Sequence, residues 1–289
     1  MPGIMEFTLD PRAIGLPSRD ELVEMRIWDS HYHGISQHAD VMPYFDRMGV
    51  ERVFCLDVGF MRRTKEETES AAEKDFAVLG KWKERMSGLC RVDPARVDDT
   101  LEHLDRCVRH EPCIGIKTGG YHDAPMTVAH RNFDPIVRLL AEVEAVIYIH
   151  AVFQVGGTPR KFDGGNRADE SSPRDVAALA VRFPNVKMIC GHQGTDWELG
   201  IRQIRPYKNV YMEFAGWPPE SGSLDFAVKE LGVDRIVWGC HAPSRSFANS
   251  LSQVYDADLT AAQRKLIFGT NLRKLSAGIH RRKGIKVDV

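Results

Sequence analysis

The sequence predicts an α/β protein built as a single (β/α)8 barrel, the TIM-barrel architecture. Three observations predict it. Short apolar, β-branched runs alternate with longer helix-forming stretches, and eight such pairs follow one another along the 289 residues. Most of the runs do not alternate polar with apolar, as parallel strands covered on both faces require. The length is close to the roughly 250 residues typical of this barrel. A doubly wound open sheet is the structural alternative. It usually has fewer strands, and no Gly-x-Gly-x-x-Gly loop follows the first strand here.

Taken in order, residues 1–24 read as an irregular lead-in, with early turn formers Pro2, Gly3, Pro11 and Pro17, and residues 25–289 as the barrel. The first strand is the run ending in Trp28-Asp29-Ser30-His31-Tyr32-His33. A helix over Val41–Met48 stops at Gly49, which suits a left-handed C-terminal position. Arg52–Val58 is the second strand, and the Glu-, Lys- and Ala-rich stretch Thr64–Arg85 an exposed helix. Gly88–Val92 is the third strand, with a helix over Asp98–His110. Cys113–Lys117 is the fourth, with a helix over Asn132–Val143. Ala145–Ala151 is the fifth, and its helix, Arg174–Arg182, has Ser172 as N-cap and Pro173 at its first position. Val186–Gly191 is the sixth, followed by a short helix over Trp197–Ile204. Asn209–Phe214 and the helix Leu224–Leu231 form the seventh pair. Arg235–Trp238 is the eighth strand, and Thr260–Leu275 closes the chain as helix.

Composition excludes several classes of function. A hydrophobic content of 43%, a charged content of 27% and a net charge of −1 describe an ordinary globular protein. They give no bulk attraction to nucleic acid or an anionic membrane. No apolar run approaches a membrane span, and Met1–Asp10 lacks the basic start and apolar block of a signal peptide. The six cysteines are scattered without a Cys-x-x-Cys pair, so free thiols in a cytoplasmic setting are expected.

In this barrel the working site lies at the C-terminal ends of the strands, and the polar residues gather there. His31 and His33 lie one residue apart on the first strand. They share a face about 6–7 Å apart along the chain, a gap that suits two imidazoles converging on one metal ion. Asp29 shares that face and is placed to ligate or to orient a histidine. Lys117 ends the fourth strand, His150 the fifth and His192 the sixth. Glu213 lies on the seventh, and His241 follows the eighth. By contrast, His103 and His110 belong to a charged helix and His280 to a basic tail, so these three read as solvated.

These residues resemble the amidohydrolase superfamily, in the branch of aminocarboxymuconate-semialdehyde decarboxylase-like enzymes, hydratases and lactone hydrolases. Asp29-Ser30-His31-Tyr32-His33 resembles the family's Asp-x-His-x-His, and Gly115-Ile116-Lys117 its Gly-Ile-Lys. His150 matches the strand-five histidine, and Phe183-Pro184-Asn185 with Gly191-His192-Gln193-Gly194 its Phe-Pro and His-x-Gly segments. Gly269-Thr270-Asn271-Leu272-Arg273-Lys274-Leu275 resembles the family's closing segment. The likeness runs in order from about Ile27 to Leu275.

The resemblance implies one divalent metal ion, zinc by ligand type with manganese as the alternative, held among His31, His33, His150 and His192. It implies catalytic roles for His241, His192 and Lys117. Where the family carries Gly-(Ser/Thr)-Asp-x-Pro, this chain has Gly239-Cys240-His241-Ala242-Pro243. An imidazole therefore stands in place of a catalytic carboxylate. A neutral imidazole ligates or accepts a proton but does not offset the charge of a metal.

The main expectation is hydrolysis of a small anionic lactone, ester or amide. The alternatives are non-oxidative decarboxylation of an aromatic or unsaturated acid, and a degenerate barrel kept as a binding subunit. Tyr121, His122, Arg160, Glu213 and Arg245 are expected against the substrate. Arg62, Arg63, Lys161 and Arg167 are further cations near it, and Trp217 and Phe247 an apolar wall. The Gly-rich stretch Phe153–Ser171 is expected to be a lid. The branch also implies a homo-oligomer.

Overall fold

The computed structural model describes residues 16–59, 64–120, 126–153, 165–216 and 220–289. The expected site residues Tyr121, His122, Arg160, Lys161, Arg62, Arg63 and Trp217 lie outside them, as does most of the expected lid.

Eight parallel strands pair in chain order, each with its successor. They are β1 (Ile27–Tyr32), β2 (Val50–Val58), β3 (Met86–Arg91), β4 (Cys113–Thr118), β5 (Val146–Val152), β6 (Met188–Gly194), β7 (Val210–Glu213) and β8 (Ile236–Val237). The sheet closes on itself: Ser30 N donates to Trp238 O at 3.0 Å and His33 N to Ala242 O at 2.8 Å. Every residue of β1, β3, β4, β5 and β6 is buried. That burial follows from having barrel on one face and helix on the other.

The helices are α1 (Arg19–Glu24), α2 (His38–Arg47), α3 (Lys65–Lys81), α4 (Val97–Arg109), α5 (Phe133–Glu142), α6 (Pro173–Arg182), α7 (Trp197–Ile204), α8 (Ser223–Leu231), α9 (Phe247–Asp256), α10 (Ala261–Lys265) and α11 (Asn271–Arg282). No helix among the described residues is long and apolar enough to cross a membrane. Local chemistry sets the helix starts. Ser172 Oγ and Asp175 form a reciprocal cap on α6, and Thr64 accepts from Glu67 N to open α3.

The structure departs from the sequence reading in four places. The lead-in is not wholly irregular: Ser18 and Glu21 form a capping box that starts α1. The eighth strand is shorter than expected, because Arg235 lies in a 3-10 turn and spends its guanidinium on Val210 O, Ile204 O and Tyr207 O. The closing helix is interrupted by a π-helical turn over Leu266–Thr270 and runs on to Arg282. And α9 stands between it and β8.

Two histidines read as solvated are buried. His280, fully buried on α11, contacts Ser87 Oγ at 3.0 Å and Ser276 O at 3.0 Å and packs on Trp28 and Phe54. His103 lies on the inner face of α4 against Cys107. Charged neighbours at Arg281 and Arg282 hide the helical spacing that carries His280 inward. Phe247, expected to wall the site, packs into the core on Trp238 at 4.9 Å between ring centroids.

Candidate metal centre

Five imidazoles meet at the C-terminal mouth of the barrel. His31 Nε2 lies 2.9 Å from His33 Nε2. The rings of His31 and His241 stack with centroids 4.2 Å apart, and His33 lies 4.8 Å from His241. His192 stands 5.0 Å from His31 and 4.6 Å from His150. Donor atoms of His31, His33 and His241 all fall within 4.8 Å of one another. His150 joins through His192 rather than directly, with His192 Nε2 2.9 Å from His150 Nδ1.

Close packing of these rings needs absent side chains around them. A Cβ on Gly216, whose φ is +94°, would lie 2.5 Å from His241 Cδ2 and 2.8 Å from His192 Nδ1. His192 and His241 themselves adopt positive φ, 63° and 61°. That left-handed backbone is costly for residues with a Cβ and collects at functional sites.

The hydrogen bonds fix which nitrogen of each ring faces the mouth. Tyr148 Oη lies 2.6 Å from Glu213 Oε2 and 2.6 Å from His31 Nδ1. The phenol has one proton, which goes to the carboxylate, so His31 Nδ1–H donates to the phenol oxygen. His192 Nδ1–H donates to Ala215 O at 2.7 Å. Ser244 Oγ donates to His241 O, so His241 Nδ1–H donates to Ser244 Oγ at 2.8 Å. In all three rings Nδ1 is spent outward; the Nε2 lone pairs of His31 and His241 are left toward the cluster, and that of His192 accepts from His150 Nδ1.

Electrostatics keep these rings neutral. Burial, followed by the Lys117 charge, holds His31 well below the usual imidazole range. Burial and neighbouring His150 do the same for His192. His241, less buried, is pushed down to about 3 by burial and then by His33. Neutral rings with inward lone pairs are what a divalent cation requires, so the donor set fits a metal ion.

The carboxylates are placed behind this cluster. Glu213, expected as a substrate contact, is fully buried. It accepts from Tyr148 Oη, His192 N at 3.1 Å and Ala215 N at 2.6 Å. These bonds tie it to β5 and β6, and one of its oxygens lies within 4.8 Å of donor atoms of His31 and His192. Asp29 accepts from His31 N at 2.8 Å, Cys240 N at 3.1 Å and Cys240 Sγ at 2.6 Å, stitching β1 to the residues after β8. Burial raises its carboxyl to about 7.

Lys117 is buried, with its ammonium 4.5 Å from the Tyr148 ring centroid. Arg245 sits exposed on the rim and donates to Gly216 O at 3.2 Å. Arg167 pairs with Asp169. Two participants carry weak sequence signals. Tyr148 stands two residues before His150 on the same strand face. Glu170, 3.3 Å from His150 Nε2, follows a glycine-rich loop with no diagnostic spacing.

A protein-family model described as Amidohydrolase matches residues 29–275. No curated protein matches the chain. Among solved structures, 2,6-dihydroxybenzoate decarboxylase from Rhizobium has a TM-score of 0.69 at 16% identity, covering 87% of this chain and 98% of that one. For 5-carboxyvanillate decarboxylase from Sphingomonas paucimobilis the TM-score is 0.65 at 15% identity, covering 82% of each chain. Dihydroxybenzoic acid decarboxylase from Polaromonas sp. JS666, with bound manganese and 2-nitroresorcinol, gives 0.64 at 14% identity, covering 87% of this chain and 96% of that one. At these identities the likeness is one of fold.

Proposed function

The chain belongs to the amidohydrolase family, and on that premise we propose that it is a metal-dependent, non-oxidative decarboxylase of a small aromatic acid. The observation that carries this reading is the set of neutral imidazoles, His31, His192 and His241, whose Nδ1 positions are spent outward while Nε2 faces the mouth. His31, His33 and His241 would hold one divalent cation, with His192 and His150 beside it. An all-imidazole set suits zinc, and manganese is the alternative that the Polaromonas relative carries. Bound there, the ion would polarise a substrate oxygen and take up developing negative charge.

The chain's own residues favour decarboxylation over the hydrolysis first expected. Hydrolysis calls for a base at the mouth that takes a proton from water. The residue in that place is His241, and the nearby carboxylates Asp29 and Glu213 are each committed to three hydrogen bonds. Decarboxylation instead needs cations to orient a carboxylate and an acid to protonate carbon. Lys117 from below and Arg245 from the rim supply positive charge for an anionic substrate. When the carbon–carbon bond breaks, its electron pair stays on the ring carbon and a proton must arrive there. The chain of Glu170, His150 and His192 is a route for that proton.

The test is a substrate panel on zinc- and manganese-loaded protein, with 2,6-dihydroxybenzoate and related hydroxybenzoates beside sugar and aromatic lactones. Carbon dioxide release from a hydroxybenzoate is the expected outcome. Lactone opening with no carbon dioxide from any acid would overturn the reading.

A further inference from the structure

A second donor cluster lies away from the mouth. Cys90 on β3, Cys107 on α4 and Cys113 at the start of β4 place their sulfurs within 4.8 Å of one another, and all three are fully buried. His103, one helical turn before Cys107, brings Nε2 to 3.4 Å from Cys107 Sγ. Residues four apart share a helix face, so α4 presents an imidazole and a thiol together to the outer side of the barrel.

We propose that Cys90, Cys107, Cys113 and His103 form a second metal site, which takes a thiophilic cation of the zinc class. Three thiolates and one imidazole are a common structural zinc set. At a zinc–sulfur distance of about 2.3 Å, tetrahedral sulfurs stand about 3.8 Å apart. The three sulfurs need to contract by no more than about 1 Å to reach it, with His103 closing the set from the Cys107 side.

A further observation points to a ligand rather than to plain packing. Lys283 Nζ donates to the carbonyls of Cys107 and Glu111 and so sets a positive charge beside the thiols. Three thiolates and one divalent ion leave a net charge of −1, which that ammonium offsets. Burial pushes the Cys90 and Cys113 thiols up, so the cation would displace their protons as it binds. The ion would pin α4 to β3 and β4, and its role is structural.

The test is a titration of Cd2+ alone into metal-stripped full-length protein, followed by sulfur-to-cadmium charge-transfer absorption. The site predicts an absorption that saturates at one ion per chain. It should vanish in Cys107→Ser and persist in Cys240→Ser and in His31→Ala. Absence of the absorption in folded wild-type protein, or its survival in folded Cys107→Ser, would overturn the proposal. If Cys107→Ser does not fold, X-ray absorption on cadmium-loaded His31→Ala decides. Three sulfur neighbours support the site, and a shell of nitrogen and oxygen alone refutes it.

Discussion

The imidazoles at the mouth and the thiols under α4 are both three-donor clusters on one barrel, yet they are built for different work. His31, His33 and His241 lie at strand ends, with Lys117, Glu213 and Arg245 around them. Cys90 and Cys113 lie on β3 and β4, and Cys107 on the helix α4 packed over them. The first is only partly buried and has charged neighbours, and the second is fully buried. The imidazoles come from the end of β1 and the residues after β8, and the thiols from β3, β4 and α4. On the two proposals above, mouth substitutions should alter metal binding and turnover, and flank substitutions stability alone.

The largest expected effect is that of His31→Ala. Losing this proposed ligand, which is also stacked on His241, should abolish tight Mn2+ binding at the mouth and lower kcat/KM by on the order of 10³-fold or more. Steady-state kinetics beside metal analysis checks this. A variant that keeps its metal and its rate would erase the distinction between the two clusters.

Tyr148→Phe sharpens it. The change removes the hydroxyl between Glu213 and His31 while leaving the ring. We expect metal affinity to drop about 10–100-fold, as when a ligand's outer partner is removed. Stability should fall by about 1–3 kcal/mol, from a buried carboxylate that loses one donor. Calorimetric titration and denaturant melts measure the two effects separately. Unchanged affinity would show that the phenol does not orient His31.

Cys107→Ser should act the other way, costing about 1 kcal/mol in denaturant melts of metal-stripped protein, and more in zinc-loaded protein, with turnover of the manganese-loaded enzyme within twofold of wild type. A large loss of activity would mean that the clusters are coupled.

The last expected effect is on pH. Burial lowers the pKa of His31, His192 and His241 in the folded state. Below the unfolded value of about 6.5 the unfolded chain binds more protons, so these rings cost stability as pH falls through that range. Asp29, raised to about 7, works in the opposite sense: its penalty grows as pH rises from about 4 toward 7. Three depressed imidazoles outweigh one raised carboxyl, so metal-free protein should lose stability steadily as pH falls from about 6.5 toward 4. His241→Asn removes one depressed imidazole and should flatten this acid limb. A flat acid limb in the wild type would mean that the rings are not held neutral.

Much of this was legible in the sequence. The strands announced themselves as buried apolar runs, and His31, His33, His150, His192 and His241 stood at the ends of strands in chain order. What was not legible depends on tertiary contact. Glu213 looks like a substrate contact at the end of a strand, and only the barrel interior shows it bonded to Tyr148. His280 sits among arginines in sequence, while helix period turns it under Trp28. Cys90, Cys107 and Cys113 have no motif spacing and meet only because β3, β4 and α4 pack together. The short β8 and the π-helical turn reflect hydrogen bonds made by Arg235 and the packing of the last helices, neither of which has a local pattern.

The central claim is that the mouth imidazoles form a preset cradle for one divalent ion. Electron paramagnetic resonance of Mn2+ titrated into metal-stripped protein tests it most directly, because thiolates do not select this hard cation. The account predicts one tightly bound Mn2+ per chain in the wild type and in Cys107→Ser, and none in His31→Ala. Free Mn2+ signal throughout the wild-type titration, or tight binding undiminished in His31→Ala, would contradict it.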